Sequence, residues 1–225
     1  MSNNINQCIL KLKFDRPLSW NVKAKDLRGA IANRNRDKSL FHQHTTNGKA
    51  IFKYPLIQYK IVKGEGILVG LNEGAKAVVN LEILKEKFEL CGEKYTLLQN
   101  ELRLHLNSIG INEEFLPYCF LTPWLALNEK NYEKYQGLRI RGKKKELLEK
   151  IVVGNIISMS KGLGYTVPAP IKANIVKFKE VPTSLKGNPM LGFLGSFKVN
   201  FEIPDYLGLG KSVSRGFGTI VRQNE

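Results

Sequence analysis

Apolar and polar residues alternate near the start of the chain in a pattern that predicts a strand. Within residues 7–14, Cys8, Leu10, Leu12 and Phe14 fall on one face and Lys11 and Lys13 on the other, which predicts a half-buried strand. In chain order, the first half is predicted to contain a strand at 7–14, a helix at about 23–34, strands at 54–62 and 66–71, a helix at about 74–88 and a strand at 95–104. This βαββαβ order is typical of a ferredoxin-like unit, in which two helices cover one face of an antiparallel sheet.

The second half of the chain repeats part of that order. Its predicted elements are a strand at 118–127, a helix at 143–160 after a polar link, and strands at about 171–179, 192–203 and 216–221. A glycine-rich stretch stands where the first half has its second helix. We therefore predict an α+β fold of two tandem ferredoxin-like domains, the second one modified, with boundaries at 1–105 and 106–225.

The charge of the chain restricts its partners. Among 225 residues, 35 are lysine or arginine and 20 are aspartate or glutamate, which gives a formal net charge of +15. An excess this large points to a polyanionic partner, of which nucleic acid is the commonest. Hydrophobic residues make up 43% of the chain, so a packed core is expected and wholesale disorder is not.

The sequence contains none of the usual signals of a membrane or secreted protein. It has no lipidation motif and no apolar run of about 18 residues, and its N-terminus lacks the order of a signal peptide. Cys8, Cys91 and Cys119 are widely spaced, which is typical of free thiols in a reducing compartment and not of a metal cluster. We therefore expect a cytoplasmic protein with no membrane partner and no bound metal.

Residues 208–218 read GLGKSVSRGFG and are unusually rich in glycine. The letters GKS resemble the end of a phosphate-binding P-loop, but Asp205 occupies the position of the leading glycine and too few residues follow to form the required helix. A dinucleotide-binding GxGxxG pattern fails because Val213 stands at its third glycine position. A glycine-rich hairpin that only turns the chain is the structural alternative.

The spacing of these glycines resembles that of a known family. Gly208, Gly210, Gly216 and Gly218 form two Gly-hydrophobic-Gly triplets separated by five residues, as in the C-terminal glycine-rich loop of CRISPR-associated RAMP proteins. The chain resembles most closely their repeat-processing endoribonuclease, because residues 27–60 also look similar to the first helix, histidine-bearing loop and second strand of one branch of that family. The resemblance implies that the protein cleaves CRISPR precursor RNA within repeats, needs no cofactor or metal, and has the precursor and product RNAs as partners.

The reaction that the resemblance implies is a transesterification by the ribose 2′-hydroxyl, which leaves a 2′,3′-cyclic phosphate and a 5′-hydroxyl. It needs a base, an acid and cations near the phosphate. His42 and His44 lie in one polar loop, and the family pattern makes them catalytic candidates, with His44 preferred. Two exposed loop histidines without a catalytic role, or a metal site with only two ligands, are the alternatives.

The family commonly places a tyrosine or a lysine close to the catalytic histidine. The equivalent tyrosine position here holds Phe52, which has no hydroxyl, so Tyr54 becomes the candidate acid or hydrogen-bond donor. Lys49 is a candidate phosphate partner in the same stretch, and a solvated surface lysine is the alternative.

Cations near the first predicted helix and in the glycine-rich stretch are candidate contacts to an RNA backbone. Lys211 and Arg215 are the leading candidates, since neighbouring glycines let backbone amides approach a phosphate closely. The spacing of the arginines at the first helix does not place them all on one helical face. The RNA-binding candidates are Gly208, Gly210, Lys211, Arg215, Gly216, Gly218, Arg28, Arg34, Arg36 and Lys49.

Two other functions fit part of the pattern. A non-catalytic RAMP subunit that binds guide RNA in a CRISPR effector complex would share the glycines and the charge but would not need the two histidines. A pair of RRM-like domains would need an RNP1 run of aromatic residues, which residues 216–223 match only in part. The sequence leaves the oligomeric state open, and a homodimer is compatible with it.

Overall fold

The structure is a computed structural model that describes residues 2–35, 39–42, 54–82 and 87–223. The chain forms two compact units, which we call the N-terminal and C-terminal units. The N-terminal unit comprises Asn4–Asn107 and Val213–Gly216, and the C-terminal unit comprises Met1–Asn3, Ser108–Ser212 and Phe217–Glu225. A short piece of the glycine-rich stretch therefore belongs to the unit formed by the first half of the sequence.

The N-terminal unit is a sheet with helices packed on it. Its strands follow the order β2-β3-β1-β5, so that β1 lies between β3 and β5, and α1 packs against β2 while α3 packs against β3. The hairpin strand β4 pairs with β5. In chain order the elements are β1 (Ser2–Phe14), α1 (Ala24–Arg34), α2 (Ser39–His42), β2 (Ile57–Val62), β3 (Glu65–Leu71), α3 (Glu73–Val79), β4 (Lys87–Leu90) and the first part of β5 (Glu93–Phe120).

The alternation in β1 produces the core of this unit, as the sequence predicts. Leu10 of β1 and Tyr59 of β2 both lie opposite Leu68 of β3, so the three side chains share one face of the sheet. Leu27 and Ile31, one turn apart on α1, are buried in the same cluster. Burying a leucine side chain of this kind stabilises the fold by about 2 kcal/mol, which is why an amphipathic helix settles on this face.

The C-terminal unit has the corresponding strand order, β8-β5-β7-β6, with antiparallel pairing throughout. Aromatic side chains fill its core, where the rings of Phe120 and Trp124 stack with centroids 4.9 Å apart. After β5 its elements are α4 (Glu129–Gly137), α5 (Arg141–Gly162), β6 (Ala173–Leu185), β7 (Asn188–Glu202) and β8 (Ile220–Arg222). The predicted α+β fold with tandem ferredoxin-like units is thus confirmed.

The second predicted helix, at 74–88, is wrong in its extent, because α3 ends at Val79. Phe88 instead lies in β4, opposite Tyr95 of β5, and meets the ring of Phe14 edge-on at 5.4 Å. The turn between these strands has φ angles of 51° and 79° at Cys91 and Gly92, the left-handed conformation that two-residue hairpins require. Helical spacing of apolar residues misled the prediction here, since tertiary packing of Phe88 decided the local structure.

Other boundaries also differ from the prediction. The gap predicted between strands at 95–104 and 118–127 does not exist, because β5 runs continuously from Glu93 to Phe120. The polar link after it contains α4. The N-cap of this helix is Asn128, whose side chain accepts a hydrogen bond from the backbone N–H of Asn131 at 2.8 Å. The last strand is also shorter than 216–221 and pairs with the end of β5.

Candidate functional site

Residues 208–218, which we call the glycine-rich segment, lie between β7 and β8. In the C-terminal unit the two ends of this segment run side by side. The N–H of Leu209 donates to the carbonyl of Gly218 at 2.9 Å, and the N–H of Ile220 donates to the carbonyl of Leu207 at 2.9 Å. The segment is therefore closed at its base by backbone hydrogen bonds.

Two glycines at this base are required by close packing. Gly210 has a φ of +89°, and a Cβ there would lie 2.8 Å from both the ring of Trp124 and the carbonyl oxygen of Leu125. Gly218 has a φ of +63°, and a Cβ there would overlap the carbonyl oxygen of Leu209. These glycines let the segment approach other backbone and a tryptophan of its own unit.

The middle of the segment, Val213–Gly216, is the part that belongs to the N-terminal unit, and we call it the loop tip. It forms a turn of 3₁₀-helix and lies against the start of α1 and against β2, the outermost strand of its order. At Gly216 a Cβ would lie 2.7 Å from Cβ of Ala24 and 3.1 Å from the carbonyl oxygen of Tyr59. Glycine at this position thus permits the close approach of the tip to β2.

Several backbone N–H groups of the segment are bonded within the protein. Those of Lys211 and Gly218 donate to the carbonyls of Leu125 and Pro123 at 3.1 and 2.9 Å. The N–H groups of Leu209 and Gly216 are bonded within the protein as well, so these four amides of the segment are already engaged. Lys211 is exposed and Arg215 is half-buried.

The structure brings Arg28 and the loop tip together. Nη1 of Arg28 donates to Oγ of Ser214 at 3.3 Å. Burial of Arg28, and then the positive charge of Arg215, lower the pKa of the Arg28 guanidinium. Two cations that repel each other at one place, held there by packing, create a local positive potential that favours an anion.

Arg34, by contrast, is not part of this cluster. Its guanidinium donates to the carbonyl of Lys87 at 2.8 Å and lies 4.5 Å from the ring centroid of Phe88. Arg28 and Arg34 therefore have different partners in the structure.

A buried lysine that is not among the predicted site residues lies beside the loop tip. Lys60 of β2 is fully buried, and its Nζ donates to Oε1 of Gln58 at 2.8 Å and to the carbonyl of Val213 in the loop tip at 3.3 Å. Nε2 of Gln58, which is also fully buried, donates to the carbonyl of Pro55 at 3.2 Å. Burial lowers the pKa of Lys60 to about 7. The signal that could have revealed this site is a lysine and a glutamine within an otherwise apolar strand, since lysine is almost never buried without partners.

Tyr59, between these two residues, faces the other side of the sheet. Its side chain is 1% exposed, and among the described residues its hydroxyl has no hydrogen-bond partner. Burial raises the pKa of this phenol, and the charge of Arg28 opposes that effect in part. The hydroxyl of Tyr59 is thus a second buried polar group of β2 that is not among the predicted site residues.

Three of the predicted site residues lie outside the described residues: the catalytic candidate His44, and Arg36 and Lys49 of the predicted RNA-binding set. His42 is the last residue of α2. Tyr54 is described and half-buried, and it precedes β2 by three residues, so it does not lie within the strand as predicted.

The described residues provide two further observations. None of their helices is long and apolar enough to cross a membrane. Among the same residues, no group of three or more histidine, cysteine, aspartate or glutamate side chains is placed to hold a metal ion.

Family models and solved structures match this chain over nearly its whole length. The model of the Cas6b N-terminal domain matches residues 3–108, and that of the Cas6b C-terminal domain matches residues 110–223. A crystal structure of Cas6b covers 98% of this chain and 100% of its own at 32% identity, with a TM-score of 0.88. A second, the CRISPR RNA processing endoribonuclease Cas6b, covers 97% and 100% at 33% identity, with a TM-score of 0.76.

A sequence relative adds to this evidence. The uncharacterized protein MJ0978 of Methanocaldococcus jannaschii is 47% identical over 139 residues, which are 62% of this chain and 94% of the relative. The resemblance to CRISPR-associated repeat-processing endoribonucleases of the RAMP type is confirmed, and it favours the enzyme over the non-catalytic subunit. With both of its domains matched, the chain belongs to the Cas6b family.

Proposed function

We propose that this Cas6b endoribonuclease cleaves CRISPR precursor RNA within its repeats to produce guide RNAs, by a reaction that needs no metal. The observation that carries the proposal is the likeness of the whole chain to Cas6b, one solved member of which is a CRISPR RNA processing endoribonuclease. The formal charge of +15 supports an RNA substrate, because phosphate contacts dominate the affinity of proteins for nucleic acids.

The chemistry is assigned to the predicted histidine loop. His44, or His42 close to it in sequence, accepts the proton of the ribose 2′-hydroxyl. The 2′-oxygen then bonds to the adjacent phosphorus, and the bond from phosphorus to the 5′-oxygen breaks. Tyr54 donates a proton to that leaving oxygen, so the products are a 2′,3′-cyclic phosphate and a 5′-hydroxyl.

The RNA backbone is bound around the loop tip. Arg28 and Arg215 supply adjacent positive charges there. Lys211, which is exposed in the C-terminal unit, is a separate contact to the RNA backbone. The glycines act by shaping the segment, since their close packing is against the protein itself. The proposed RNA-binding set is completed by Arg34, Arg36, Lys49, Gly208, Gly210, Gly216 and Gly218.

The first experiment tests the reaction itself. The purified protein is incubated in EDTA with a cognate CRISPR repeat RNA and with the same RNA carrying one 2′-deoxy nucleotide at the cleavage position. We expect the first RNA to be cut, with a cyclic phosphate end, and the second to stay intact, because the deoxy sugar has no nucleophile. Cleavage of both RNAs, or of neither, would contradict the proposal.

The second experiment tests the catalytic residues and uses the third histidine of the chain as a control. His44→Ala is expected to slow single-turnover cleavage by about 10²–10⁴-fold, the usual contribution of a positioned acid or base. His105 is exposed on β5, and His105→Ala should leave the rate unchanged. If neither His42→Ala nor His44→Ala is slower than His105→Ala, the assignment of the histidine loop is wrong.

A further inference from the structure

A buried path of hydrogen bonds in the N-terminal unit joins the loop tip to the backbone just after Tyr54. It starts at the carbonyl of Val213, passes through the ammonium of Lys60 and the amide of Gln58, and ends at the carbonyl of Pro55. Both side chains in the path are 0% exposed. The path thus spans positions that are far apart in sequence but lie within one unit.

The alternation of β2 explains why two side chains can form this path. Gln58 and Lys60 are two residues apart, so they project from the same face of the strand, opposite Val69 and Ile67 of β3. Tyr59, the residue between them, lies close to the tip through its backbone. A Cβ built at Gly216 would be only 3.1 Å from the carbonyl oxygen of Tyr59. The tip is therefore bonded to the Lys60 side chain at Val213 and lies close to the backbone of β2 at Gly216.

Stability alone does not explain a lysine at this position. The partners of its ammonium are two neutral oxygens, which offset the loss of hydration less well than a carboxylate would. Burial accordingly lowers the pKa of Lys60 to about 7. Because apolar residues in place of buried charged groups are often neutral or stabilising, the lysine points to a role that depends on its hydrogen bonds.

We propose that Lys60 is a positioning residue for RNA cleavage, which together with Gln58 holds the loop tip in a fixed place relative to Tyr54 and Pro55. The tip carries Arg215, and Tyr54, the proposed proton donor, directly precedes Pro55 in the sequence. The inference rests on the proposed function, because the proposed function assigns RNA contacts to the loop tip and proton transfer to Tyr54. Even a small displacement of the reacting groups strongly lowers the rate of cleavage.

The test replaces each side chain of the path by methionine. Lys60→Met and Gln58→Met are each expected to slow single-turnover cleavage at saturating RNA by about 10–100-fold, as for a misplacement of reacting groups by about 1 Å. The Kd for the uncleavable 2′-deoxy RNA should change far less. Gln7→Met is the matched control: Gln7 is 2% exposed in β1, and its side chain accepts a hydrogen bond from Asn107, which is not a member of the path.

A double-mutant cycle then separates a shared path from two independent losses. The Lys60→Met/Gln58→Met variant should be no slower than the slower single variant, because either change already breaks the path. The inference is overturned if the two single effects multiply, or if both variants cleave at the rate of Gln7→Met. Gln58→Met keeps the test valid even where Lys60→Met fails to fold, because it alone must slow cleavage relative to Gln7→Met.

Hydrogen exchange gives a readout that does not depend on cleavage. In Gln58→Met or Lys60→Met, amides of Val213–Gly216 should exchange faster than in the wild type, and those of Gln7→Met should not. A wild type that fails to cut any repeat RNA while its variants show this change would contradict the proposed function but support the link. Unchanged exchange at the tip would overturn the link itself.

Discussion

The two units share one strand order but differ in the element that comes after the third strand. In the N-terminal unit β3 leads into α3, a helix whose Ala75 and Val78 are buried against the sheet. In the C-terminal unit β7 leads instead into the glycine-rich segment, whose tip belongs to the other unit. A helix presents side chains at a fixed spacing, whereas a segment built on glycines lets backbone approach backbone. After its third strand, the same fold can thus have either a helix that packs on the sheet or a glycine-rich segment that approaches other backbone closely.

The largest expected effect comes from giving the base of the glycine-rich segment a side chain. Gly218→Ala places a Cβ on the carbonyl oxygen of Leu209 at a φ of +63°, so the segment must shift. We expect a loss of about 2–4 kcal/mol in the free energy of unfolding, measured by urea denaturation. A loss no larger than that of an ordinary surface substitution would show that the segment is not closely packed.

The place of the loop tip on β2 can be tested through pH. The pKa of Lys60 is about 7 in the folded protein and about 10.4 when unfolded, so above about pH 7 the unfolded state binds more protons. The free energy of unfolding should therefore rise between about pH 7 and 8.5, below the range in which Cys8, whose pKa burial raises to about 11, has an opposite effect.

Lys60→Met is the control for that pH dependence. This variant has no amine at position 60, so its free energy of unfolding should rise less over the same range than that of the wild type. Parallel curves for the two proteins would show that Lys60 is not the group responsible, and would remove one reason for regarding the tip as firmly held.

A smaller effect is expected where the segment is exposed. Lys211→Ala should weaken RNA binding and reduce the slope of log K against log salt by about one, because one phosphate contact is lost. Arg215→Ala should have a similar effect on the slope if the half-buried tip also meets phosphate. Lys130→Ala, an exposed lysine on α4, serves as the charge-matched control and should leave the slope unchanged. Equal slopes for all variants would remove the segment from the RNA interface.

The smallest effect completes the comparison between helix and segment. Gly154 lies exposed in α5, with nothing within 4 Å of a Cβ built on it. Gly154→Ala should therefore stabilise the protein by about 0.5–1 kcal/mol, since alanine is the better helix former. If Gly154→Ala raises the free energy of unfolding and Gly218→Ala lowers it, glycine only weakens the helix at position 154 but is required by packing at position 218. Changes of the same sign would contradict that distinction.

Much of the fold could be predicted where a short pattern has one meaning. The alternation at 7–14 predicted a buried face, and each of its apolar residues is buried in β1. The prediction failed at Phe88, where helical spacing and a strand position were both compatible with the same letters. The hairpin turn at Cys91 and Gly92 and the packing on Phe14 decided between them. Local periodicity is ambiguous for short apolar runs, and distant contacts resolve it.

For the candidate site, too, some features could be predicted from the sequence and others could not. By itself, the sequence determined the charge, the spacing of the four glycines and the pair of histidines, because these are properties of residue identity and order. Only the tertiary structure decided that the loop tip joins the N-terminal unit, that Arg28 bonds to Ser214, and that Lys60 lies buried beneath Val213. Residues 60 and 213 are separated by most of the chain, and no local pattern encodes a contact or a loss of solvent that arises only when distant segments pack together.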